Sequence, residues 1–234
     1  MLELDRMDAW YGDSHILQHI SLRMQSGERV ALLGRNGAGK STLLKSVMNA
    51  GPRVAGAVRL DGQPLGGMAS HKRARLGLTL VPEDRRIFTH LTTLENIEFG
   101  SLGSTRRMDR AQAEALLARF PMLVPLRDRP GGHMSGGQQQ MLAVVRGIAA
   151  SPRLMLLDEP TEGLAPVIVE QMADDINRTC AATGMGLLLS EQHVWFARQC
   201  TERVYVLSTG QIVFEGTWAE FDLHPAIKQR YLAV

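Results

Sequence analysis

The sequence is poor in residue classes that mark special environments. It has only two cysteines in 234 residues, and aromatic residues make up 5% of the chain. Cys180 and Cys200 show no spacing typical of a disulfide or a metal site, so we expect two free thiols that serve in packing. The formal net charge is only +2, and the basic clusters lack interleaved aromatic residues, so no nucleic-acid partner is expected.

Long apolar runs are also missing. No stretch approaches the roughly 20 apolar residues that a membrane-spanning helix requires. The first residues, MLELDRMD, contain no apolar signal core, so we expect the protein to stay in the cytoplasm. No internal repeat or low-complexity tract is visible. A chain of 234 residues can form one core, or one core and a smaller lobe.

The first informative feature that is present is a glycine-rich loop between an apolar strand and a predicted helix. The strand is Val30 to Leu33, and the helix begins near Lys40. The loop fits the P-loop pattern of a glycine, four residues and Gly-Lys-Ser. Glycines let consecutive N–H groups approach phosphate oxygens, and the helix adds its positive N-terminal end. The predicted nucleotide-binding residues are Gly34, Arg35, Asn36, Gly37, Ala38, Gly39, Lys40, Ser41 and Thr42.

Within this loop, Lys40 is predicted to reach the β- and γ-phosphates, and the Ser41 hydroxyl to ligate Mg²⁺. The alternative is a glycine-rich turn that carries an unrelated lysine. The pattern indicates a nucleoside triphosphate, but it does not separate kinases, GTPases, motors and transporters.

A second apolar strand ends in two acids. Leu154 to Leu157 precede Asp158 and Glu159, and ligands of open parallel sheets bind at the carboxyl ends of strands. We predict that Asp158 holds Mg²⁺ and that Glu159 orients or deprotonates the water that attacks the γ-phosphate. The alternative is that the two acids cap a helix.

The segment upstream of this strand makes the pattern more specific. Ser135, Gly136, Gly137 and Gln138 precede a helical apolar pattern, so they can offer backbone amides and a hydroxyl to an anion, although alone they could be a helix cap. The P-loop, this SGGQ segment and LLDEPT, in this order, resemble the nucleotide-binding subunits of ABC transporters over nearly the whole chain. The resemblance implies that two subunits pack head to tail, each ATP lying between one P-loop and the other subunit's signature residues, Ser135 to Gln138.

The resemblance also implies a fold. The expected class is α/β: a P-loop NTPase core with a mostly parallel sheet, an antiparallel β subdomain and an inserted α-helical subdomain. We predict one domain over residues 1–234, with the core in 1–88 and 151–234 and the helical subdomain in 89–150. The segment DRAQAEALLARF supports the helical lobe, because its apolar residues recur at helical spacing; these are Ala113, Leu116, Leu117 and Phe120.

Further roles follow from the resemblance. Tyr11 lies where the family stacks an aromatic ring on adenine, with Ile16 as an apolar wall, although stacking does not distinguish ATP from GTP. Glu83, in VPEDRRIF, occupies the position of the family's Q-loop glutamine and is a predicted metal ligand. Where most relatives have a histidine that senses the γ-phosphate, an ungapped alignment places Gln192, and a one-residue shift would place His193 there; both are candidate catalytic residues.

Together VPEDRRIF, DEPTEGLAP and SEQ resemble the LivF branch, the smaller ATPase subunits of branched-chain amino acid importers and their urea or short-amide relatives. This implies an ATP hydrolase, with ATP and Mg²⁺ as cofactors, on the cytoplasmic face of a bacterial or archaeal membrane. The implied partners are two permease subunits, a second ATPase subunit and an extracytoplasmic solute-binding protein. The alternatives are an exporter of lipid or glycolipid, an ATP switch on ribosomes or DNA, and a phosphotransferase. An ATP switch normally has tandem cassettes or a long insertion, and a phosphotransferase would leave the signature residues without a role.

Overall fold

A computed structural model of the protein describes residues 2–103 and 107–232, so the ends of the predicted domain and part of the segment 89–150 lie outside the description. The strands of the described residues are β1 (Leu2–Tyr11), β2 (Ser14–Met24), β3 (Arg29–Leu33), β4 (Arg53–Leu60), β5 (Gln63–Pro64), β6 (Leu78–Val81), β7 (Leu154–Asp158), β8 (Gly186–Glu191), β9 (Arg203–Ser208) and β10 (Gln211–Thr217). The α-helices of these residues are α1 (Lys40–Met48), α2 (Ser70–Arg75), α3 (Thr93–Gly100), α4 (Arg110–Leu117), α5 (Gly136–Ala149), α6 (Pro166–Thr183), α7 (Val194–Cys200), α8 (Trp218–Asp222) and α9 (Pro225–Tyr231). Short 3₁₀ helices cover Ser101–Gly103, Val124–Leu126 and Gly131–His133.

Six strands form the main sheet, in the order β10-β9-β3-β8-β7-β6. All neighbours pair in parallel except β9 and the edge strand β10, which are antiparallel. Strands β3, β7 and β8 are adjacent, so the P-loop after β3, the two acids at the end of β7 and the polar end of β8 emerge at one edge. The mostly parallel α/β core that the sequence predicts is confirmed.

Alternate residues of the main sheet pack into two different cores. In β3, Val30 and Leu32 face the core shared with α1 and the small sheet, whereas Ala31 and Leu33 face the core shared with α5, α6 and α7. This burial of both faces explains why β7 and β8 are apolar up to the polar residues at their carboxyl ends. The sheet is therefore held rigidly on both sides, which fixes the positions of the loops at its edge.

A second, smaller sheet has the order β2-β1-β4-β5, and all its neighbouring strands pair antiparallel. Its apolar residues, including Leu2, Leu4 and Ile20, belong to the core that also contains α1. Helix α1 therefore lies between the small sheet and the main sheet. The antiparallel β unit predicted for the first part of the chain is confirmed.

The described residues between β6 and β7 contain helices α3, α4 and α5 and no β-strand. The N-terminus of α3 is stabilised by a capping box, in which Thr92 and Glu95 satisfy each other's backbone amides. Helix α4 ends at Leu117, so Phe120 is not part of it, because Pro121 disfavours helical backbone before it. Phe120 is nevertheless buried. We retain 89–150 as the proposed helical subdomain.

Both cysteines are free and buried, as the composition predicted. Among residues 2–103 and 107–232, we find no helix that combines the length and the apolar character needed to cross a membrane.

Candidate active site

The P-loop residues surround the start of α1. Gly39 is the N-cap of this helix and has a φ of 109°, in the left-handed region that a side chain rarely adopts. Gly34 is constrained by space, because a Cβ there would lie 2.5 Å from the carbonyl oxygen of Leu207. Gly39 is therefore required by the backbone of the loop, and Gly34 by the neighbouring strand β9.

The Lys40 side chain is folded against its own loop. Its Nζ donates hydrogen bonds to the carbonyl oxygens of Gly34 (2.6 Å) and Arg35 (3.0 Å). It also lies 3.1 Å from Oε1 of Glu159, and both side chains are almost fully buried. The ammonium group is thus held by two carbonyl groups of its own loop, and its positive charge is balanced by a carboxylate.

Asp158 lies beside the start of α1. One of its oxygens, Oδ1, accepts hydrogen bonds from the hydroxyls of Ser41 (3.1 Å) and Ser190 (2.6 Å). Burial raises the pKa of Asp158, while these two hydrogen bonds act in the opposite direction. The predicted Mg²⁺ ligands Ser41 and Asp158 are therefore in direct contact.

Glu159 has an unusual backbone. Its φ is 42°, a strained value for a residue with a side chain. Its N–H donates to both the carbonyl oxygen (3.0 Å) and the hydroxyl (3.2 Å) of Ser190. This conformation directs the carboxylate to Lys40 on one side and to Gln192 on the other.

The Gln192 amide connects two parts of the site. Its Nε2 donates to Oε2 of Glu159 (2.8 Å) and to Oδ1 of Asn36 (2.6 Å). Beside the P-loop lies a cavity of about 450 Å³, which is lined by Gln192, by the exposed His193 and by residues 34–36. Gln192 is thus the one of these two residues whose side chain contacts Glu159.

Glu191 accepts hydrogen bonds from a different set of residues. It is 1% exposed. Its Oε1 accepts hydrogen bonds from the N–H (3.2 Å) and the hydroxyl (2.6 Å) of Thr161, and its Oε2 accepts from the N–H groups of Gln192 (3.0 Å) and His193 (3.2 Å). Burial raises the pKa of Glu191, and the hydrogen bonds from the Thr161 hydroxyl and from the N–H groups of His193 and Gln192 counteract this rise.

Glu83 lies close to several other acids. Burial, a hydrogen bond with Glu162 and the negative charges of Glu162, Glu159 and Asp158 raise its pKa. In the described part of the chain, no three His, Cys, Asp or Glu side chains are arranged to hold a metal ion. Oxygen ligands with uncompensated negative charge fit Mg²⁺, which in nucleotide sites is completed by phosphate oxygens and water. The residues present therefore suit a metal that arrives with the nucleotide.

The Q-loop, VPEDRRIF, is attached to helix α5. Arg146 of α5 donates hydrogen bonds to the carbonyl oxygens of Arg86 (2.6 Å) and Arg85 (3.2 Å), and its guanidinium lies over the ring of Phe88. Arg85 and Arg86 both have left-handed backbone, with φ values of 61° and 47°. Arg146 thus stabilises a strained turn that follows Glu83.

The signature residues begin helix α5 as a capping box. The Ser135 hydroxyl accepts from the N–H of Gln138 (3.4 Å), and the Gln138 side chain accepts from the N–H of Ser135 (2.9 Å). Ser135 and Gly136 are exposed, so the amides at this end of the 14-residue helix are accessible to an anion from outside the chain. Ser135, Gly136, Gly137 and Gln138 do not line the cavity beside the P-loop.

Tyr11 is the last residue of β1, and Ile16 lies near the start of β2. The Tyr11 side chain is 42% exposed, and a Cβ at Gly51 would lie 3.6 Å from its ring. Ile16 is closer to the P-loop, because a Cβ at Gly39 would lie 3.7 Å from its methyl group. An exposed ring and a nearby apolar side chain are compatible with a base-stacking surface next to the phosphate loop.

The structure thus brings together the P-loop, Asp158, Glu159 and Gln192. Glu83 is close enough to Asp158 and Glu159 for their negative charges to raise its pKa. Sequence reasoning missed Ser190 and Thr161 and left Glu191 without a role. The signals were a serine inside an otherwise apolar strand and a carboxylate at its buried end.

Comparisons with known proteins identify the family. The family model described as ABC transporter matches residues 17–162. The chain is 37% identical to the high-affinity branched-chain amino acid transport ATP-binding protein BraG of Pseudomonas aeruginosa, over 99% of both chains. It is 32% identical to the lipopolysaccharide export system ATP-binding protein LptB of Escherichia coli, over 95% of this chain and 92% of that protein.

A solved structure shows the same fold. It is a dimeric post-hydrolysis state of an ATP-binding cassette bound to ADP and phosphate, with a TM-score of 0.82 and 23% identity, covering 93% of this chain and 98% of that one. That structure shows the fold, whereas the family model over residues 17–162 and the 37% identity with BraG show that the chain is an ATP hydrolase of the ABC transporter family.

Proposed function

We propose that this subunit hydrolyses ATP to drive the import of branched-chain or related small amino acids through separate permease subunits. The observation that carries the proposal is the sequence identity with BraG, which is 37% over 99% of the chain. The Glu83, Gln192 and DEPTEGLAP features of the LivF branch support the same substrate class.

In our proposal, ATP binding rearranges the Lys40 contacts. The P-loop amides of residues 34–42 hold the phosphates, Tyr11 stacks on adenine and Ile16 covers its edge. The Lys40 ammonium leaves the carbonyls of Gly34 and Arg35 and turns to the phosphates, so the ion pair with Glu159 breaks. This exchange releases the Glu159 carboxylate for its catalytic role.

Hydrolysis then depends on Glu159 and Gln192. The freed carboxylate accepts a hydrogen bond from the attacking water and takes its proton as the water oxygen bonds to the γ-phosphorus; the bond from that phosphorus to the bridging oxygen breaks, and ADP leaves with that oxygen. Gln192 donates to a γ-phosphate oxygen or orients the water, and His193 is the second candidate for this role. Ser41, Asp158 and Glu83 would hold Mg²⁺, which neutralises charge on the phosphate oxygens when bound.

Homologous ATPase subunits dimerise and work with membrane permease subunits. For this chain we propose two permeases, a second ATPase subunit that supplies the opposite half of each site, and an extracytoplasmic solute-binding protein. Ser135 to Gln138 of each subunit would contact the nucleotide of the other. The subunit would lie peripherally on the cytoplasmic membrane face, with no nucleic-acid partner.

A second candidate function is export of lipopolysaccharide or a similar lipid. The 32% identity with LptB over 95% of this chain favours it, since the ATPase chemistry would be the same. Uptake of urea or short amides is a variant of the import function within the LivF resemblance.

Transport assays in the native host separate these functions. A strain lacking the gene is complemented with the wild type, with Glu159→Gln or with Glu170→Gln, a matched change at an exposed residue of α6. We expect uptake of radiolabelled leucine to be restored by the wild type and Glu170→Gln but not by Glu159→Gln. Restored uptake of urea or acetamide alone would move the substrate class to amides. If the strain lacking the gene takes up leucine, urea and acetamide normally but has an altered outer leaflet, the proposed function would change from import to lipid export.

A further inference from the structure

Glu191 lies between two loops that each carry a residue of the candidate active site. It is the last residue of β8, is 1% exposed, and uses both carboxylate oxygens. One oxygen accepts two hydrogen bonds from Thr161, and the other accepts two from the backbone of Gln192 and His193. Its carboxylate is therefore fully occupied by protein donors.

These bonds connect the two residues proposed to act on the γ-phosphate. Thr161 is two residues after Glu159 in the turn that follows β7. Gln192 is directly attached to Glu191 and donates to Glu159 at 2.8 Å. Ser190, the residue before Glu191, accepts hydrogen bonds from the N–H of Glu159. The last two residues of β8 thus hold the backbone next to both Glu159 and Gln192.

We propose that Glu191 is a positioning residue for ATP hydrolysis: its carboxylate fixes the Thr161 turn to the Gln192 turn, and so sets the distance between the Glu159 and Gln192 side chains. The inference rests on the proposed roles of those two residues. The four hydrogen bonds of the Glu191 carboxylate go to Thr161, Gln192 and His193, so we expect its contribution in the chemical step and not in nucleotide binding.

The chemistry of the four donors explains why a carboxylate is required. Two oxygens offer about four acceptor sites, which matches two hydrogen bonds on each. A glutamine of the same shape has an amide nitrogen that cannot accept, so one pair of buried donors loses its partner. One of the two turns then moves relative to the other. A displacement of about 1 Å between reacting groups can cost about 10²-fold in rate.

The test measures ATP turnover and ATP binding separately in the complete transporter complex. The variants are Glu191→Gln, Thr161→Val, which removes one hydroxyl donor, and Thr161→Ser, which keeps it. Glu170→Gln serves as a matched exposed control. Nucleotide binding is measured with a fluorescent ATP analogue, and folding by thermal unfolding.

We expect Glu191→Gln to lower kcat at least about 10-fold, with the Kd for the ATP analogue within about 3-fold of the wild type. Thr161→Val should lower kcat less, by about 3- to 10-fold, and Thr161→Ser should restore it. In a Gln192→Ala background the effect of Glu191→Gln on kcat should shrink, because residues that act as a unit are not additive.

Three results would overturn the inference: unchanged kcat in Glu191→Gln, equal losses in binding and kcat, or full additivity with Gln192→Ala. If Glu191→Gln fails to fold, the Thr161→Val and Thr161→Ser pair decides, and equal kcat in the two rejects the inference. The proposed function is tested separately by Glu159→Gln. If Glu159→Gln abolishes turnover while Glu191→Gln leaves it intact, the positioning role alone is rejected.

Discussion

Replacement of Glu159 by glutamine should have opposite effects on ATP hydrolysis and on ATP binding. The carboxylate has two functions in the structure: Oε1 is 3.1 Å from the Lys40 ammonium, and Oε2 accepts from Gln192 at 2.8 Å. Glutamine has nearly the same shape but no charge and no basic oxygen. We therefore expect turnover to be lost while nucleotide binding becomes tighter.

The magnitudes follow from the two contacts. A positioned general base contributes about 10²- to 10⁴-fold, so kcat should fall by at least about 100-fold. A hydrogen bond to a charged group is worth about 1.5–3 kcal/mol. Loss of the Lys40 contact that ATP must displace should tighten ATP binding by at least about tenfold, the equivalent of about 1.4 kcal/mol.

The assay combines phosphate release with equilibrium binding of a fluorescent ATP analogue, using Glu170→Gln as the matched control. Unchanged turnover in Glu159→Gln would contradict the catalytic role. Weaker ATP binding in that variant would contradict the idea that the Lys40 pair competes with phosphate.

Three further predictions concern features outside this carboxylate. Arg146→Met removes two charge-assisted hydrogen bonds from the strained Q-loop, so the free energy of unfolding should fall by about 1–3 kcal/mol, measured by urea denaturation; an unchanged midpoint would refute this role. Gly34→Ala places a methyl group 2.5 Å from the Leu207 carbonyl oxygen, and we expect loss of ATP binding together with a lower melting temperature. Burial raises the pKa of Cys180 to about 11 and that of Cys200 to about 12, from 9.0. Because the unfolded thiols ionise first, their contribution to stability is complete below pH 9 and is lost as the pH rises through the folded values. At pH 8 neither thiol should react with Ellman's reagent until guanidinium unfolds the chain, and rapid reaction of the native protein would show that the thiols are accessible.

The parts of the site that depend on local backbone were predictable from sequence. The P-loop requires glycines at fixed positions before a helix, and the φ of 109° at Gly39 shows why. The two acids after β7 follow from the rule that ligand-binding residues lie at the carboxyl ends of parallel strands. In both cases the chemistry and the secondary structure lie within a dozen residues of each other.

The contacts between distant segments could not be predicted in this way. Ser190 meets Asp158 because β7 and β8 pair in a register that places these two residues opposite each other, and the sequence does not state that register. Glu191 binds Thr161 across 30 positions for the same reason. The left-handed backbone of Arg85 and Arg86 was also unpredictable, since neither residue type favours that conformation and the stabilising Arg146 lies about 60 positions away.

Helix α5 has the signature residues at its start and Arg146 near its end, ten residues after Gly136, which corresponds to about 15 Å along the axis. An α-helix moves as a unit, and α5 is buried at every residue from Gln140 to Ala149 except Arg146, so a pull on the Q-loop at one end would also tilt the exposed amides at the other. In the complex that we propose, mechanical communication between a membrane partner and the nucleotide of the neighbouring subunit would then need no relay of side chains. The stiffness of a single helix is sufficient.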